Sequence, residues 1–185
     1  MAAISRSENS KAVPGAFTAA GFPPLANVDA NFLVLGSLPG MRSIAEQQYY
    51  AHPRNAFWPI MKSLFGVDGN YASRCRQLIA NRIAVWDVLN CAVRPGSLDA
   101  DIRLDVAKAN NFAAFFGNHP DIGVVIFNGK KAESLFMRFV EARPNDLSAR
   151  YIVLPSTSPA YAAMPYSGKL ARWREAFGMS DDANT

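Results

Sequence analysis

The stretch VVIFNGKKAESLFMRFV, residues 124–140, holds two elements in succession. Its opening VVIF is a β-branched and aromatic run too short for a helix, and NGKKAES supplies turn chemistry before apolar residues begin to recur at three and four positions. A buried strand feeding a helix is half of a parallel β-α-β unit. The same alternation extends along the chain, with strands expected at 32–35 (FLVL), 83–87 (IAVWD), 124–127 (VVIF) and 151–154 (YIVL). Helices are expected at about 57–65, 72–80, 103–116, 130–142 and 168–177; in 103–116 the recurrence is carried by Leu104, Ala107, Phe112, Phe115 and Phe116. The pattern predicts an α/β fold built on a parallel sheet.

With 185 residues the chain is long enough to bury one full core without staples. A single domain over 21–178 is expected, with small, polar, turn-forming residues at 1–20 and 179–185 read as loose tails. The 19 Lys+Arg against 15 Asp+Glu leave a net +4, which permits an anionic partner such as nucleic acid without establishing one. Cys75, Cys91, His52 and His119 have no metal-type spacing, so neither metal nor other cofactor is expected. The N-terminus has no secretory apolar region and no run reaches about 18 apolar residues, which predicts a cytoplasmic protein with no membrane association.

Each expected strand is followed by a Gly-, Pro-, Ser- or Asn-rich loop: GSLPGMRS, VLNCAVRPGSLDADI, NGKKAES and PSTSPAYA. Ligands of open parallel sheets bind beyond the carboxyl ends of the strands, so these loops are expected to converge on one site. GSLPG lacks both the lysine of a phosphate loop and the spacing of a dinucleotide loop. Asp87, Asp99 and Asp101 do not have metal-loop spacing, and residues 97–101 read as N-cap chemistry for the helix from 103. YYAHPRNAFW, residues 49–58, brings aromatic rings, a cation and an amide to the same neighbourhood.

LVLGSLPGMRS, YYAHPRNAFW, AVWDVLNCAVRPGSLDADI, IFNGKKA and LPSTSPAYA occur in that order over about residues 31–177. Together they resemble the uracil-DNA glycosylase superfamily, most of all its hypoxanthine-DNA (DNA-deoxyinosine) glycosylase branch. The resemblance implies a three-layer αβα sandwich with a central, mostly parallel four-stranded sheet. It also implies a monofunctional enzyme that flips a deaminated base out of DNA and hydrolyses its N-glycosidic bond, with hypoxanthine first and uracil as runner-up. The chain departs from most of the superfamily in its first motif, where GSLPG carries Ser37 and Leu38 in place of the usual water-positioning residue. In the hypoxanthine branch that task is attributed to the asparagine of the HPxNxFW stretch, here Asn55.

The resemblance, together with side-chain chemistry, then implies roles for single residues. Phe57 would stack on the base, at ~1–3 kcal/mol per base, or else fill core with Trp58. Asn128 would read the base edge with its amide, or else form a turn before Gly129. Gly36, Ser37 and Leu38 would bring backbone amides to the departing base. His52 is a secondary catalytic candidate, or a residue that caps a turn. Ser43, Arg54, Lys130, Ser156, Thr157 and Ser158 are phosphate candidates, and Pro159, Ala160 and Tyr161 could form an apolar wedge in the minor groove, or close a loop that caps the next helix. No activated lysine stands near these motifs, which argues against a lyase. A monomer acting on DNA is expected; a non-catalytic nucleic-acid-binding module on the same fold is the alternative.

Overall fold

The computed structural model describes residues 16–95, 102–140 and 149–179. Its central sheet has four strands, β2 (Phe32–Gly36), β3 (Ile83–Asp87), β6 (Val124–Asn128) and β7 (Arg150–Leu154), ordered β3-β2-β6-β7 and all parallel. Because successive strand residues point to opposite faces, Leu33, Leu35, Trp86, Val125 and Phe127 enter one apolar cluster, whereas Val34, Ile83, Val85 and Ile126 enter another. The first cluster is closed by α4 (Phe112–Asn118) and α5 (Lys130–Phe139) through Phe112, Phe115, Phe116, Leu135 and Phe136. The second is closed by α2 (Phe57–Phe65), α3 (Tyr71–Ala80) and α6 (Tyr166–Ala176) through Phe57, Ile60, Met61, Leu78 and Trp173. This is a three-layer αβα sandwich.

Several elements differ from the sequence expectation. The span 103–116 is not one helix: β5 (Arg103–Ala109) comes first, and α4 begins only after Asn111, whose side chain accepts the Ala114 N–H at 3.1 Å. Leu104 and Ala107, three apart, fit a helix face, but antiparallel pairing of β5 with β4 (Leu89–Pro95), irregular in register, overrides that spacing. Residues 16–20, read as the end of a loose tail, form β1 (Ala16–Ala20) on the other side of β4, giving a second sheet ordered β1-β4-β5. A short helix, α1 (Met41–Glu46), follows GSLPG where only a loop was expected. The proposed cap at 97–101 lies outside the described residues, and the helix it was to cap is a strand.

Candidate functional site

Parallel register places the carboxyl ends of the central strands side by side, with Gly36 opposite Asp87 and Asn128 opposite Leu154. Loop 49–56 crosses this edge on fixed supports. The Tyr49 N–H donates to Tyr71 Oη (3.0 Å), Tyr49 Oη donates to the Pro23 carbonyl (3.0 Å), and Trp58 Nε1 donates to the Tyr49 carbonyl (2.9 Å). The Ala51 N–H donates to Ser43 Oγ (3.2 Å), and the Ala56 N–H donates to the Thr157 carbonyl (2.9 Å). Ser43 is buried and holds the loop, which makes it a support rather than a phosphate contact.

Within the loop, the Arg54 N–H donates to His52 Nδ1 (3.1 Å) and the Asn55 N–H to the His52 carbonyl (2.8 Å). His52 therefore closes the turn that presents Asn55, and its Nδ1 is committed as an acceptor. Asn55 Oδ1 accepts the Phe57 N–H at 3.0 Å, satisfying one of the orphan donors at the start of α2 and fixing the amide. The half-buried Asn55 lies in the wall of a pocket of about 330 Å³ with Arg54, Pro159, Tyr161, Tyr166 and Lys169. The structure thus brings Asn55, Arg54, Pro159 and Tyr161 together.

Other expected residues stand elsewhere. Phe57 presents no open face: it is 0% exposed, and the Tyr50 ring covers it with centroids 4.1 Å apart at 31°. Tyr50, half-buried and held at φ 55°, is the ring of the pair that reaches the surface. Leu38 is core, and Ser37 is buried with its carbonyl accepting the Leu89 N–H at 3.1 Å. Asn128 donates from Nδ2 to Thr157 Oγ1 and accepts the Thr157 N–H at Oδ1, both at 2.8 Å. An amide has one face on which donor and acceptor stand side by side, and here Thr157 takes it. Asn128 thus clasps the loop after β7 through Thr157, which is 0% exposed.

Ser156 Oγ accepts the Ser158 N–H and Ser158 Oγ the Ala160 N–H, both at 3.2 Å, which shapes the loop and leaves each hydroxyl hydrogen able to donate. Ala160 and Lys130 are exposed, Lys130 as the first residue of α5. Gly129, at φ 102°, lies so close to the loop that a Cβ there would stand 2.9 Å from Ser156 Cβ.

Two residues gain weight that the sequence did not give them. Asp87 closes β3 at 4% exposure, so near Gly36 that a Cβ on the glycine would collide with Asp87 Oδ1; the Tyr50 hydroxyl would stand 3.4 Å from the same Cβ. Burial, and then the Asp87 charge, push the Tyr49 hydroxyl above the usual phenol range. Lys169, on α6, is 6% exposed, and burial pushes its ammonium below the usual lysine value. Lys169, a lysine that the sequence reading did not place near the motifs, shares the pocket wall with Asn55. Among the described residues no group of three or more His, Cys, Asp or Glu could hold a metal, and no helix is long and apolar enough to cross a membrane.

Residues 23–177 match the uracil DNA glycosylase superfamily model. Two curated relatives named hypoxanthine DNA glycosylase, from Methanosarcina barkeri and Methanosarcina acetivorans, are 40% and 36% identical over 115 residues, covering 60% of this chain and 72% of each relative. A Methanosarcina acetivorans protein solved by NMR, provisionally assigned as a uracil DNA glycosylase, superposes with a TM-score of 0.69 at 31% identity, over 87% of this chain and 99% of its own. Family match and shared architecture agree, and the chain belongs to the uracil DNA glycosylase superfamily.

Proposed function

We propose that this protein is a monofunctional DNA glycosylase that hydrolyses the N-glycosidic bond of deaminated bases, hypoxanthine first. The observation that carries the reading is Asn55: an amide immobilised by its bond to the Phe57 N–H in the wall of a pocket that it shares with Arg54, Pro159 and Tyr161. An amide is too weak a base to take a proton near neutral pH. Its second Oδ1 lone pair and its Nδ2 hydrogens can orient a water. That suffices if the bond to the base breaks largely before attack, leaving an oxocarbenium-like sugar for the water to capture at C1′, while the departing base takes up a proton. The names of the two curated relatives support hypoxanthine as substrate.

The target base must leave the helix to be reached, and extrusion is least costly for a mispaired one. Tyr50, backed by Phe57, offers the stacking face. Asp87 supplies the discrimination. A carboxylate only accepts, and hypoxanthine, xanthine and uracil all present a ring N–H where adenine and cytosine present a lone pair. An acceptor at that edge separates hypoxanthine from adenine and uracil from cytosine, while guanine and thymine, which carry the same ring N–H, must be turned away by the shape of the site; uracil stays the second substrate. Ser156, Ser158, Lys130 and Arg54 are the phosphate contacts in this reading, with Pro159, Ala160 and the exposed Tyr161 at the groove.

The test is single-turnover cleavage of duplex and single-stranded oligonucleotides carrying inosine, uracil or xanthine. Asn55→Ala should slow inosine excision by ~10² or more, the scale of one positioned catalytic group, with affinity for DNA held. Full rate in that variant refutes the assignment of Asn55. Absence of excision by the unaltered protein refutes the enzyme reading and leaves the binding module.

A further inference from the structure

Lys169 is a buried cation with no counter-charge among the described residues. Its Nζ donates to the Tyr161 carbonyl at 2.8 Å and lies 5.2 Å from the Tyr161 ring centroid, yet among the described residues no carboxylate pairs with it. Buried charges in proteins are normally paired, because desolvation is otherwise uncompensated. Burial lowers its pKa, the mark of a desolvated ammonium. An ammonium has three hydrogens to donate and one is used here.

Its position adds to the imbalance. Lys169 lies in the first turn of the 11-residue α6, where the helix dipole is positive, and that turn holds no acidic residue. Arg54 contributes a second cation to the same pocket wall. A lysine stem, a guanidinium and a helix N-terminus around one open pocket therefore concentrate positive potential beside Asn55. The carbonyl of Tyr161 fixes the ammonium but brings no full negative charge.

We infer that Lys169, with Arg54, forms an anion site in this pocket whose ligand is a backbone phosphate of the DNA next to the extruded nucleotide. The inference rests on the glycosylase reading for the identity of the polymer, and on the buried charge alone for the anion. Ser156 and Ser158, in the loop before Tyr161, then contribute secondary, neutral contacts. Arrival of the phosphate supplies the absent counter-charge, so DNA seating and order in the loop that carries Tyr161 are coupled.

The test compares the full chain with Lys169→Met, which keeps the apolar stem, and with Lys169→Arg, which keeps the charge. Dissociation constants for an inosine duplex and for an undamaged duplex are measured across a salt series, beside thermal melting. Loss of one phosphate contact should reduce the slope of log K against log salt by about 0.9. Lys169→Met is therefore expected to weaken binding about tenfold and flatten the slope by that amount, with Lys169→Arg recovering most of both. Duplexes with single phosphates replaced by neutral methylphosphonates provide a second arm: one replacement should weaken the unaltered protein about as much as Lys169→Met does, and should have no further effect on that variant. An altered melting temperature with unchanged affinity and slope overturns the inference, because it leaves Lys169 only the Tyr161 contact. Binding of inorganic phosphate at Lys169 with no change in the DNA slope would also overturn it. So would a covalent adduct between Lys169 and abasic DNA on borohydride reduction, since the amine would then be a nucleophile. If the unaltered protein excises no base but shows the slope change, the catalytic reading fails and the anion site stands.

Discussion

The clasp between Asn128 and Thr157 gives a sharp expectation because both partners are buried and both bonds are short. Asn128→Ala removes two bonds at once and strands two groups, the Thr157 N–H and its Oγ1, at a residue with 0% exposure. A buried polar group deprived of its partner costs about 1–3 kcal/mol, and the hydroxyl can turn to relieve part of its share, so the loss should be about 2–5 kcal/mol. For a chain of this size about 1 kcal/mol corresponds to roughly 2–4 °C, which sets a fall in Tm of roughly 5–15 °C. Thr157→Val keeps the backbone bond to Oδ1 and removes only the hydroxyl, so its fall should be roughly a third as large, about 2–5 °C. Calorimetry or urea unfolding of both single variants and the double variant supplies the cycle, in which the double should fall well short of the sum. A Tm for Asn128→Ala within about 1 °C of the parent would refute the clasp and return Asn128 to the candidates for base reading.

The other expectations concern charge. Asp87→Asn should cut single-turnover excision of inosine by about 10²-fold and narrow its advantage over adenine, because an amide can face a lone pair where a carboxylate cannot; unchanged discrimination would sink the role of Asp87. Gly36→Ala should reproduce that loss by forcing the carboxylate away from the glycine, and excision at parental rate would show that the close approach is incidental. For Lys169 the sign is set by its lowered pKa: the cost of burying the ammonium is full at low pH and disappears as pH rises through the folded value toward the ordinary ~10.4. Its contribution to fold stability therefore improves toward alkaline pH while its contribution to DNA affinity falls, and a pH series of melting and of binding against Lys169→Met should show the two opposite trends.

The four central strands were legible because FLVL, IAVWD, VVIF and YIVL are short β-branched or aromatic runs; burial on both faces requires this of the first three, and the edge strand β7 keeps the composition although Tyr151 and Val153 are exposed. The antiparallel sheet was not. In RLDVAKA only Leu104, Ala107 and Ala109 are even half-buried, and the three-residue step from Leu104 to Ala107 breaks strand alternation and imitates a helix face, because the pairing of β5 with β4 is irregular in register. The Asn111 cap was the overlooked signal, since an asparagine just before a phenylalanine-rich helical stretch marks a start at 112 and not at 103. In the site, the HPRNAF loop and the strand-end loops announced themselves by composition. The burial of Phe57 beneath Tyr50 and the engagement of Asn128 by Thr157 depend on contacts between distant segments, which local pattern does not carry. Lys169 was hidden for the same reason: in GKLARW a lysine at helical spacing reads as solvated, and only the packing of α6 against the loop takes it out of water.

The wall of the pocket is made of chain segments far apart in sequence: Ser63 Oγ meets Tyr166 Oη at 2.9 Å across 103 positions, and Tyr166 Oη also donates to the Pro59 carbonyl across 107. Closing so long a loop is entropically costly and comes late in folding. During synthesis the sheet strands and the Asn55 turn leave the ribosome well before α6 does, and domains generally fold as units once their elements are available. A nascent chain therefore has no finished cavity until Tyr166 and Lys169 are free to dock. The cavity is completed in one step with α6, so its presence is a direct readout of how much of the population has completed its fold.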